Sequence, residues 1–83
     1  MRFQDKVTVI TGGGSGIGAA TARLMARERA KVVVVDLAEA PARAVADEIG
    51  GTAITADVAD RASVEAFVEA AVDRHGRIDI LVN

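Results

Sequence analysis

The residues best suited to chemistry in this 83-residue chain are Thr11-Gly12-Gly13-Gly14-Ser15-Gly16-Ile17-Gly18, which directly follow the β-branched run Val7-Thr8-Val9-Ile10. Glycine admits positive φ and has no Cβ, so a turn built from it brings backbone N–H groups close to a bound group. A helical pattern starts at Gly16 and aims the positive end of its dipole at the same place. Together these features suit a pyrophosphate. Two carboxylates, Asp36 and Asp57, stand just after later β-rich runs. His75 is the sole histidine. It falls in the last turn of a helical segment, beside Gly76, where the dipole favours a cation, so it reads as a structural residue and not as a catalyst. Asp47, Glu48, Glu65, Glu69 and Asp73 fall on solvated helix faces and form no carboxylate dyad. The chain has no cysteine, which excludes disulfides, zinc thiolate sites and a thiol nucleophile. One histidine cannot build a His-rich metal site, and no metal is expected.

These groups need elements to position them, and the apolar pattern supplies seven. Lys6–Ile10 and Lys31–Val35 are near-continuous apolar runs, as expected of strands covered on both faces. Thr52–Ala56 is a short third strand and Ile80–Val82 a fourth. Between them, Gly16–Arg29 carries a helical stripe at Ile17, Ala20, Leu24 and Met25. Pro41–Ile49 carries another at Ala42, Val45, Ala46 and Ile49, with Pro41 near the first helical position and Gly50-Gly51 as the stop. The next helix has Asp60 as its N-cap, the stripe Val64, Phe67, Val68, Ala71 and Val72, and Gly76 as its terminator. The alternation βαβαβαβ predicts an α/β fold with a Rossmann-like, doubly wound parallel sheet joined by right-handed crossovers, in strand order 3-2-1-4. Its ligand crevice lies at the carboxyl ends of strands 1 and 4, where the winding reverses.

Composition narrows the remaining classes. Residues 1–83 make one small domain, 51% apolar, with Phe3 and Phe67 as the only aromatics. The net charge is −2 with both signs interspersed, so no basic stripe exists for nucleic acid. The first six residues have no apolar h-region, and no apolar run approaches the roughly 20 residues of a membrane span. No membrane association is expected, and the expected location is cytoplasmic.

Several nucleotide loops are compatible with so many glycines. A P-loop needs Lys and Ser/Thr after its last glycine, and here Ala19-Ala20 follows Gly18. The pattern G-x-G-x-x-G/A fits Gly14, Gly16 and Ala19. The pattern T-G-x-x-x-G-x-G fits Thr11, Gly12, Gly16 and Gly18. On that second pattern the chain resembles the short-chain dehydrogenase/reductase family. Asp36 at the end of the second strand, Asp57-Val58 after the third, and Asp79-Ile80-Leu81-Val82-Asn83 as the start of D-x-L-V-N-N-A-G extend the resemblance over essentially the whole chain. An S-adenosylmethionine-dependent methyltransferase also pairs a glycine loop with an acid after strand 2, but these segments argue against it.

The resemblance implies an oxidoreductase that moves a hydride between nicotinamide and an alcohol or carbonyl substrate. Gly12 would make the tight turn, Gly16 would admit the pyrophosphate, and Gly18 would let the helix pack closely. The Ile17 N–H would donate to a phosphate oxygen, and Ser15 to a phosphate or ribose. Asp36 lies close to the ~20-residue interval at which an acid meets the adenosine ribose hydroxyls. It would repel a 2′-phosphate, and Ser15 and Leu37 occupy the places where an NADP site would want arginine, so the expected cofactor is NAD(H). Asp36 could instead cap a helix. Asp57 and Val58 resemble an adenine-binding pair, although Asp57 also suits ordinary turn chemistry. Asn83 resembles an asparagine that lines the cofactor ribose, and Thr11 one that braces this motif.

The family's Tyr-x-x-x-Lys pair is absent from these residues, and Lys6 and Lys31 begin strands at the end away from the crevice. No catalytic residue is therefore assigned, and the chain is expected to bind cofactor without turnover. It reads as the amino-terminal cofactor half of a longer dehydrogenase domain, a truncated fragment, or alternatively as a non-catalytic dinucleotide-binding module or engineered minimal Rossmann fragment. Its fourth strand would be an open apolar edge prone to self-association; full-length relatives are commonly dimers or tetramers. Nothing in the residues identifies a substrate.

Overall fold

In the computed structural model, residues 2–83 are described; Met1, the first residue of the leader reading, lies outside them. Strands β1 (Val7–Thr11), β2 (Lys31–Asp36), β3 (Thr52–Thr55) and β4 (Ile80–Val82) alternate with helices α1 (Gly16–Arg27), α2 (Glu39–Ile49) and α3 (Arg61–His75). The strands form one parallel sheet in the order β3-β2-β1-β4, as expected. Val9 pairs with Val33 on one side and Leu81 on the other, so β1 is the central strand from which winding proceeds in both directions.

Alternate residues of the buried strands feed two cores. Ile10, Val32 and Val34 face α1 and α2, where Ala19, Ala22, Met25, Ala42, Val45 and Ala46 cover them. Val7, Val9, Val33 and Val35 face the opposite side and pack on Phe67 and Ala71 of α3. Helices on both faces explain the unbroken valine run of β2, because neither face meets water. Thr8 is the one fully buried polar side chain among the described residues, and its hydroxyl has no hydrogen-bond partner.

The helices differ in detail from the periodicity. In α1 the buried line is Ala19, Ala22 and Met25, while Ile17 is 87% exposed and Leu24 53% exposed. The helix is rotated because Gly18 rests on the Gly12 carbonyl, which turns its small-residue side to the sheet. It also ends at Arg27, two residues early, and Arg29 leaves it with φ +71°. Helix α2 begins at Glu39, which puts Pro41 third in the first turn; proline is tolerated there because those N–H groups have no intrahelical acceptor. Its buried face is the one expected. Asp60 does precede α3, but its carboxylate makes no capping bond. Phe67 and Ala71 are buried as expected, whereas Val68 and Val72 lie on the exposed flank of α3.

Candidate functional site

The glycine loop is shaped by three separate constraints. Gly12 turns the chain off β1 with φ +66°, a conformation that costs an L-residue about 1–2 kcal/mol. Gly13 continues the ladder by donating its N–H to the Val35 carbonyl at 3.2 Å. A Cβ on Gly13 would stand 2.8 Å from Val34 Cγ1, so the core beneath forbids a side chain. Gly18 is closed by backbone, since a Cβ there would overlap the Gly12 carbonyl. Gly16 differs: its φ is +57°, and a Cβ would meet nothing within 4 Å. Gly16 is thus open toward the crevice while Gly13 and Gly18 are packed.

The first α-helical hydrogen bond of α1 runs from Ala19 N–H to the Ser15 carbonyl. The amides of Gly16, Ile17 and Gly18 precede it and have no place in the helical ladder. Ser15 is the N-cap residue in extended conformation, and its hydroxyl makes no capping bond. A helix start with free donors, a dipole and no side chain over Gly16 fits an anionic group such as a pyrophosphate.

Asp36 closes one side of the loop. Its Oδ2 accepts from Gly14 N–H at 2.9 Å and its Oδ1 from Ala38 N–H at 3.2 Å. Ala38, not Asp36, occupies the N-cap position of α2. Leu37 follows with its side chain 69% exposed. At the end of β3, the Asp57 N–H donates to Ser63 Oγ at 2.8 Å, and Asp57 Oδ1 accepts from Ala59 N–H at 2.9 Å, so this carboxylate shapes its own turn. Val58 is exposed on that turn. Ile17, Leu37 and Val58 therefore present apolar side chains to solvent just after the carboxyl ends of β1, β2 and β3.

Asn83 completes the group at the end of β4. Thr11 Oγ1 lies 2.8 Å from Asn83 Oδ1 and 3.3 Å from the Val82 carbonyl, and its one proton serves both acceptors. Thr11 thus ties β4 to β1 at the crevice, as the brace expected of it. The opposite end of the same pair is pinned by Asp79, whose Oδ2 accepts from Val7 N–H at 2.8 Å and Arg77 Nε–H at 2.9 Å.

The Val7 N–H is the main reason the Asp79 carboxyl sits below its ordinary range; Arg77 adds to it and burial opposes it. A depressed native pKa adds stability that is fully present above the unfolded value of about 3.9 and is lost as pH falls through the native one. Asp79→Asn is expected to lower the urea midpoint at pH 7 and to remove part of the wild type's loss below about pH 4. Parallel acid limbs for the two proteins would contradict this role.

His75 stands at the other end of the sheet. Its Nε2 is 3.3 Å from Thr52 Oγ1 at the start of β3. Burial, then Arg74 and Lys31, hold its pKa below the ordinary value. A surface groove of about 570 Å³ lies between β3 and α3, lined by Thr52, Ala53, Ile54, Ala70, Asp73 and Arg74, and contains none of the crevice residues. Among the described residues no cluster of three or more acidic or histidine side chains could hold a metal, and no helix is long and apolar enough to cross a membrane.

The structure brings Gly12, Ser15, Gly16, Ile17, Gly18, Asp36 and Leu37 together around the β1 and β2 termini, with Asp57, Val58 and Asn83 at the neighbouring strand ends. Sequence reasoning gave no role to Gly13 or Gly14. Their signal was the unbroken glycine triplet, one residue of which is needed by the core and the other by Asp36.

A family model described as short chain dehydrogenase matches residues 6–83. The chain belongs to the short chain dehydrogenase family. Short-chain dehydrogenase reductase ATA1 of Arabidopsis thaliana is 49% identical over 82 residues, which is 99% of this chain and 30% of that protein. Sorbitol dehydrogenase of Cereibacter sphaeroides is 47% identical over 85 residues, covering 100% of this chain and 33% of that one. The crystal structure of a 3-ketoacyl-(acyl-carrier-protein) reductase from Brucella melitensis, complexed with NADH, superposes with a TM-score of 0.92 at 48% identity, over 94% of this chain and 33% of its own. The chain spans about a third of the length of the curated relatives it matches. The family binds a nicotinamide dinucleotide, and the open amides at Gly16 are compatible with its diphosphate.

Proposed function

We propose that residues 1–83 form the NAD(H)-binding part of a cytoplasmic short-chain dehydrogenase/reductase acting on an alcohol or carbonyl substrate. The observation that carries this reading is the pairing of side-chain-free donors at Gly16 with a carboxylate, Asp36, on the wall of the same crevice. Gly12, Ser15, Gly16, Ile17 and Gly18 would hold the pyrophosphate. Asp36 would accept from the adenosine ribose hydroxyls, Leu37, Asp57 and Val58 would flank the adenine, and Asn83 would line the other ribose. The bound nicotinamide would supply the hydride chemistry. The catalytic Tyr-x-x-x-Lys pair is not among these residues. The 83 residues alone would therefore bind cofactor without turnover, as a plain dinucleotide-binding module would.

Titration of both cofactors tests the assignment. A carboxylate facing a 2′-phosphate is a like-charge contact, so the wild type is expected to bind NAD at least about tenfold more tightly than NADP. Asp36→Ala should narrow that gap. Tighter NADP binding by the wild type would refute the choice of cofactor.

The β4 edge supports a further part of this reading. Leu81 is 55% exposed on a strand whose outer hydrogen-bonding side pairs with no described strand. Such an edge templates pairing with another chain. The 83 residues are expected to sediment as dimers or larger species at tens of micromolar, an order-of-magnitude choice; a clean monomer would count against it.

A further inference from the structure

We infer that Asp36 is a positioning residue for the phosphate-binding loop, in addition to the ribose contact proposed above. The inference rests on the dinucleotide reading for its functional consequence, though not for its geometry. One carboxylate bridges two chain segments: Oδ2 holds Gly14 N–H in the β1–α1 loop at 2.9 Å, and Oδ1 holds Ala38 N–H at the start of α2 at 3.2 Å. Asp36 is itself fixed at the sheet, where its carbonyl accepts from Ala56 N–H at 3.1 Å. The loop is thereby tied to the end of β2 at two successive residues, since Gly13 N–H bonds the Val35 carbonyl.

The fit around Gly14 shows that the contact is built in. A Cβ on Gly14 would come within 2.8 Å of Asp36 Oδ2 and 3.0 Å of both Ala42 N and Pro41 Cβ. A side chain there would push against the carboxylate, so the bare backbone and the acid require each other. Hydrogen bonds to an ionised carboxylate are about twice as strong as neutral ones. A carboxylate offers about four acceptor positions, and the two amides occupy only two. Ribose hydroxyls and the loop amide can therefore be served together. Gly14 lies two residues before Gly16, so its tether limits how far the open amides can wander before an anion arrives, and preorganisation of this kind raises affinity without adding a contact.

A cofactor analogue separates the two roles. NAD whose adenosine ribose lacks the 2′ and 3′ hydroxyls cannot make the ribose contact. Asp36→Ala is expected to weaken binding of this analogue by roughly tenfold, the loss of one charge-assisted bond. Asp36→Asn keeps an acceptor oxygen for Gly14 N–H and should recover part of that loss. In cofactor-free protein the Gly14 amide should exchange faster in Asp36→Ala than in wild type, with Asp36→Asn between. Equal affinity of wild type and Asp36→Ala for the analogue would overturn the inference. If the wild type binds neither NAD nor the analogue, the dinucleotide reading itself fails. Gly14 exchange then decides the tether: faster in Asp36→Ala sustains it, and unchanged overturns it.

Discussion

Gly18→Ala is expected to cost the fold about 3 kcal/mol, the upper end for an overpacked site, and to abolish measurable cofactor binding. The added methyl would overlap the Gly12 carbonyl, which belongs to backbone that cannot rotate aside. Relief requires either α1 to lift from the sheet or the Gly12 turn to open. Each movement displaces the amides of the first helical turn. Gly16→Ala makes a discriminating comparison. Its Cβ meets no atom, so its stability cost is only the strain of φ +57°, about 1–2 kcal/mol. That methyl would stand in the space assigned to the diphosphate, so its loss of affinity should exceed its loss of stability. Urea denaturation and cofactor titration of both variants check the pair. Equal midpoints for Gly18→Ala and wild type would show that the helix does not rest on the loop as described.

Ile10→Ala should be at least as damaging. Ile10 is fully buried on the α1/α2 face of the central strand, directly before the loop. Truncating such a side chain costs about 3–4 kcal/mol through lost transfer free energy and the cavity left behind. A chain of this size has a total stability of only about 4–12 kcal/mol, so the variant would stand close to unfolding. The comparison is Leu24→Ala. Periodicity placed Leu24 in the buried stripe, but it is 53% exposed, and its truncation should change stability by less than about 0.5 kcal/mol. A Leu24→Ala loss as large as that of Ile10→Ala would mean that α1 is rotated toward its Ile17–Leu24 side.

The strand-end placement of the candidate residues was legible in the sequence. The glycine loop, Asp36, Asp57 and Asn83 all stand at the carboxyl ends of strands, because the alternation of elements alone dictates a parallel sheet and parallel strands place all such ends together. What each acid does there was less legible. Asp57 shapes its own turn with Ala59 and Ser63, contacts over a few residues that turn chemistry anticipates. Asp36 reaches back to Gly14, and Asp79 to Val7, across many residues of intervening chain.

The amino-acid sequence by itself determined the order of elements, the parallel sheet with its one reversal of winding at β1, and the placement of the glycine turn at the carboxyl end of β1. Those properties follow from β-branched runs, glycine density and helical period, all of which act between near neighbours. Only the tertiary structure decided the rotation of α1, the exposure of Leu24, Val68 and Val72, and the partners of Asp36 and Asp79. These depend on which distant backbone each side chain meets. The contact of Gly18 with the Gly12 carbonyl sets the phase of a helix whose own apolar residues would allow another.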